Sequence, residues 1–142
     1  MGRKEKKASR PCIAFAMRDP KMAYEHLRTG SVPVIQYGST FDGKPIHTCD
    51  DGERTLCRCE LCGGYFLVQD SERRDFSTGN DEYFTDFFPV SGPDDAEMLN
   101  RKFDGYQIEF GFSGKYLAQD NTSAPHWTEN AEGKKRHENR RL

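Results

Sequence analysis

Four of the five cysteines in this 142-residue chain lie between Cys49 and Cys62, three of them in the run CRCELC. Thiols this close together serve as metal ligands, as a redox pair or as disulfide partners. The choice depends on compartment. The basic start of the chain is followed by an apolar stretch of only six residues, Cys12 to Met17, and then by Arg18 and Asp19. This is shorter than the apolar core of a secretory signal, so the chain reads as cytoplasmic, where thiols stay reduced and clustered cysteines favour metal.

Cys59-Glu60-Leu61-Cys62 has two residues between its thiols, the spacing that lets one tight turn offer both sulfurs to a tetrahedral zinc ion. Gly63-Gly64 follows and permits the positive φ such turns require. CELCGGYF resembles a zinc knuckle of the zinc-ribbon and rubredoxin type, over Cys59 to Phe66 only. A ribbon needs a second ligand pair, and there is no second Cys-x-x-Cys. The expected set is therefore Cys49, Cys57, Cys59 and Cys62, with Cys49 and Cys57 flanking the polar turn Asp50–Glu53. His47 is the first substitute, with Cys12 or His126 behind it.

Four thiolates would leave zinc no open position for water or substrate, which makes it a structural ion. The competing readings are unligated buried thiols, a dithiol redox pair and a metal other than zinc. Against the first, Arg58 and Glu60 are poor neighbours for a dry core. Against the second, a redox Cys-x-x-Cys sits at a helix start, whereas Gly63-Gly64-Tyr65-Phe66-Leu67-Val68 predicts a strand.

No nucleophile elbow, phosphate loop or metalloprotease motif occurs, and the histidines, His26 among them, are scattered. Asp81, Glu82 and Asp86 have no diagnostic acid–base spacing. The expectation is a non-catalytic binding protein. Its body, Pro11 to Thr128, has 11 basic and 19 acidic residues. Asp81, Glu82, Asp86, Asp94 and Asp95 are candidates for a face that meets a basic protein partner, in the manner of an inhibitor or immunity-type protein. For Asp94 and Asp95, a helix N-terminus is a sufficient local role. The alternatives are a nucleic-acid-binding zinc module using the basic runs RKEKK and KKRHENRR, and a zinc-dependent enzyme. No run is long and apolar enough for a membrane span.

The elements that must position these groups form an α+β domain over residues 11–127, with a knuckle-like segment at 47–66 and disordered tails at 1–10 and 128–142. Asp19-Pro20 opens a helix that Gly30 closes, and Ser91 or Pro93 opens a second that ends by Gly105. Strands are expected at Val32–Gly38, Lys44–Cys49, Gly64–Asp70, Glu82–Val90, Tyr106–Phe112 and Lys115–Gln119. Phe112 to Lys115 reads as a hairpin turn, and Trp127 as the anchor of the chain end.

Overall fold

The computed structural model describes residues 9–38, 51–73, 77–104 and 107–129. Six antiparallel strands form one sheet in simple sequence order. They are β1 (Ser31–Gly38), β2 (Asp51–Cys59), β3 (Tyr65–Arg73), β4 (Glu82–Val90), β5 (Lys115–Asp120) and β6 (Ser123–Glu129). Helix α1 (Pro20–Arg28) precedes the sheet and α2 (Pro93–Lys102) links β4 to β5. The α+β expectation thus holds. Among the described residues no helix is long and apolar enough to cross a membrane.

Alternation along the strands divides the core between two faces. On one, Cys57, Cys59, Phe66, Phe87 and Leu117 pack with Ala23 and Leu27 of α1 and with Ala14 of a 3₁₀ turn at Ile13–Ala16. On the other, Leu56, Leu67, Phe88, Val90 and Tyr116 pack with Ala96 of α2, Phe103 and Ile108. β4 feeds both faces, because consecutive Phe87 and Phe88 point opposite ways and both are fully buried.

Helix α1 starts as its sequence dictates. The Asp19 carboxylate accepts from the Lys21 N–H at 2.9 Å, and Pro20 takes the first helical position, where no N–H is needed. Trp127 lies in β6, packs tilted on Phe15 and donates Nε1–H to the Arg18 carbonyl at 3.0 Å. It therefore anchors the last strand beneath the start of α1.

Four expectations are corrected. The described part of the expected Tyr106–Phe112 strand, residues 107–112, is not a strand: Ile108–Phe110 is a 3₁₀ turn. Its consecutive residues Gln107, Ile108 and Glu109 are all buried, which alternation would not permit. Gln69 explains the turn, since its Oε1 accepts the Ile108 N–H and its Nε2–H donates to Glu109. With that strand absent, Phe112–Lys115 is no hairpin, and β5 pairs with β4 and β6 instead. Asp51–Glu53, expected in a turn, begins β2, and residues 123–129 form a strand where a tail was expected from 128. The Lys44–Cys49 strand lies outside the described residues.

Candidate metal centre

β2 ends at Cys59, and the chain reverses through Glu60–Gly63 into β3. The reversal is closed by the Cys59 N–H on the Gly64 carbonyl at 2.8 Å and the Gly63 N–H on the Cys59 carbonyl at 2.6 Å. Gly63 has φ +78°, the left-handed conformation that glycine adopts without strain. The Gly64 N–H points at the Cys62 sulfur, 3.4 Å away, as amides in thiolate–metal turns do.

Gly64 does not share the positive φ and is needed for a different reason. A Cβ there would lie 2.6 Å from the Cys12 Cα and 2.7 Å from both the Cys12 nitrogen and the Pro11 carbonyl oxygen. The N-terminal segment runs against this position, forming a parallel bridge between Pro11 and Tyr65. Cys12 N–H donates to the Tyr65 carbonyl and Tyr65 N–H to the Arg10 carbonyl, both at 3.0 Å. Cys12 is thereby set beside the knuckle.

Helix α1 brings the fourth group. Its last turn carries His26, and the chain turns at Gly30, φ +72°, directly into β1. Ser31 pairs with Cys59, and the Glu60 N–H donates to the Gly30 carbonyl at 3.1 Å. So short a connection holds the helix end over the knuckle.

These three segments converge on Cys12, His26, Cys59 and Cys62, whose donor atoms all lie within 4.8 Å of one another. The Cys12 and Cys62 sulfurs are 3.6 Å apart, and His26 Nε2 is 3.4 Å from the Cys59 sulfur. A tetrahedral zinc with Zn–S near 2.3 Å sets its sulfurs about 3.7 Å apart, so the spacing suits a four-coordinate ion and is far too long for a disulfide. Cys12 and Cys59 are buried and Cys62 is partly exposed.

The electrostatics match a site built for thiolates. Burial pushes the Cys62 thiol up, but hydrogen bonds from His26, the Ile13 and Gly64 N–H groups and Arg10 outweigh it and bring the pKa to about 6. Cys12 responds in the opposite sense: burial, the hydrogen bond with Cys62 and the charges of Cys59 and Cys62 push it up to about 12 against an opposing Ala14 backbone contact. Neighbouring thiols cannot all ionise without a cation, and an ion at the centre of the group would remove the conflict.

Of the expected ligands, the structure brings Cys59 and Cys62 together and joins to them Cys12, a distant substitute in the sequence reading, and His26, which that reading left on a helix face. Cys57 is not in the group. It shares the Cys59 side of β2 but sits two residues back, roughly 7 Å along the strand. There it is packed in the core, where burial raises its pKa to about 11. Cys49 and His47 lie outside the described residues, and His126 is on β6, with its Nδ1 3.0 Å from the Ala124 carbonyl.

The expected acidic face is also redistributed. Asp86 is fully buried and cannot meet a partner, while Asp95 accepts the Ser91 and Gly92 N–H groups at 2.6 and 2.9 Å and caps α2. Asp94 is exposed in the first turn of α2, and Asp81 and Glu82 are half-buried at the start of β4. Other acids converge where α1 leaves the sheet uncovered. Glu53, Asp70 and Glu72 line a groove of about 500 Å³ with Thr85 and the exposed Tyr83. Register explains the convergence, because Glu53 pairs with Asp70, Asp70 with Thr85 and Glu72 with Tyr83.

Comparison of the chain with protein-family models, with curated proteins and with solved structures finds no match.

Proposed function

We propose that this chain is a non-catalytic binding domain whose fold is clasped by a structural zinc ion held by Cys12, His26, Cys59 and Cys62. The observation that carries this reading is the convergence of four zinc-type donors from three separate segments. Four protein donors complete a tetrahedron, which supports a structural ion over a catalytic one. The test separates this set from one that includes Cys57. His26→Ala is expected to weaken zinc binding at least about tenfold, since loss of even an outer-shell partner of a ligand costs about that much. Cys57→Ala, in contrast, should retain one equivalent of zinc in the reduced protein. Equal zinc binding by the two variants would refute the assignment.

The groove of Glu53, Asp70 and Glu72 supports a basic protein as the partner, since it gathers carboxylates and an exposed tyrosine on one uncovered sheet surface. A Glu53→Lys/Glu72→Lys variant is expected to lose a basic protein that the wild type retains from a lysate of the host, with retention falling as salt rises. Basic proteins retained equally by both would overturn this surface. The basic runs that would carry the nucleic-acid reading lie outside the described residues.

A further inference from the structure

We propose that Cys62 is an oxidative modification site at which a hydroperoxide opens the metal centre, with Cys12 as the resolving thiol. This rests on the Cys12, His26, Cys59, Cys62 reading and adds a reaction to it. The four donors are not equivalent. Cys59 has no solvent exposure and Cys12 only 2 %, whereas Cys62 is partly exposed and is the sulfur a small oxidant reaches first. Arg10, an exposed residue, donates to the Cys62 carbonyl, which keeps a guanidinium at the residue that a peroxide would meet.

The neighbour that would resolve the product is already in place. Attack of the Cys62 thiolate on the peroxide O–O bond forms a sulfenic acid and expels hydroxide, or an alkoxide from an organic peroxide. Cys12, whose sulfur is 3.6 Å away, then attacks the oxidised sulfur as thiolate and expels a second hydroxide. For hydrogen peroxide, two thiolates and one peroxide become one disulfide and two hydroxides. The sulfurs must close from 3.6 Å to about 2.05 Å to form the bond.

The consequence for the ion is loss of half its ligands. Only Cys59 and His26 remain, and two donors do not hold zinc in a tetrahedral structural site. The bond links residues 50 positions apart, so oxidation exchanges a metal clasp on three segments for a covalent one between two of them, and releases α1.

The experiment takes the full-length reduced protein, measures zinc per chain, and then adds hydrogen peroxide while a chromogenic chelator reports free zinc. The expected result is release of about one equivalent of zinc. Peptide mapping should find a Cys12–Cys62 disulfide, and a thiol reductant with added zinc should reverse both changes. Cys57→Ala should behave as the wild type. A zinc-loaded protein that keeps its zinc, or whose disulfide joins another pair, overturns this inference and leaves the metal reading standing. A reduced protein that binds no zinc overturns both.

Discussion

Stripping zinc from the reduced protein with a chelator is expected to lower its melting temperature by at least about 10 °C and to broaden the transition, with zinc but not magnesium restoring it. Structural zinc sites supply roughly 10 to 16 kcal/mol of apparent binding energy, as much as the whole stability of an ordinary domain. This domain has little in reserve, since only 35% of its residues are apolar. The core face beneath α1 also includes Cys12 and Cys59, so an ion held by them would brace packed core and its loss would loosen that face. The effect should be regional as well as large, because the proposed ion would join the N-terminal segment, α1 and the β2–β3 turn. Amides of α1 and of Cys12 should lose protection from hydrogen exchange before those of β3 and β4. Superimposable melting curves with and without chelator would exclude a structural ion.

What could be read in the sequence divides along physical lines. Helices α1 and α2 and strands β1, β3, β4 and β5 were legible because each carries its own signal, such as Asp19-Pro20 before α1 or the apolar density of EYFTDFFPV. β2 was not, because its first half, Asp-Gly-Glu-Arg, has the composition of a turn. Its Arg54 is nevertheless fully buried, donating to the Gln69 side chain, to Asn100 and to the Phe103 carbonyl. A guanidinium satisfied by partners 15 to 49 residues away leaves no local pattern. β6 was hidden for a related reason: SAPHWTE contains a proline, and only its position at the sheet edge makes that acceptable. The candidate metal site shows the same division. Cys59 and Cys62 share one turn, and their spacing is a local rule. Cys12 and His26 arrive through a parallel bridge and a helix–strand connection, which are tertiary facts. Proximity in sequence favoured Cys57, yet alternation on a strand places it on the correct side and a full two-residue step too far away.

Replacing Gly64 with alanine is expected to reduce zinc affinity at least about tenfold, whereas the same change at Gly63 should leave zinc binding nearly intact. The two glycines are adjacent but serve different physical needs. At Gly63 the cost is conformational: φ is +78°, but nothing lies within 4 Å of an added Cβ, so alanine should destabilise by roughly 1 to 2 kcal/mol without displacing a ligand. At Gly64 the obstacle is steric, and the atoms an added methyl would meet at 2.6 to 2.7 Å belong to the backbone of Pro11 and Cys12, which no rotamer change can move aside. The N-terminal segment must then retreat from β3, losing its bonds between Cys12 and Tyr65 and between Tyr65 and Arg10. Cys12 leaves with it, and the proposed ion would keep only Cys59, Cys62 and His26. Zinc competition titrations of the two variants, read beside their melting temperatures, separate strain from ligand displacement. If Gly64→Ala bound zinc as tightly as Gly63→Ala, Cys12 could not be a ligand, because the close approach that places it would have been broken without consequence for the metal.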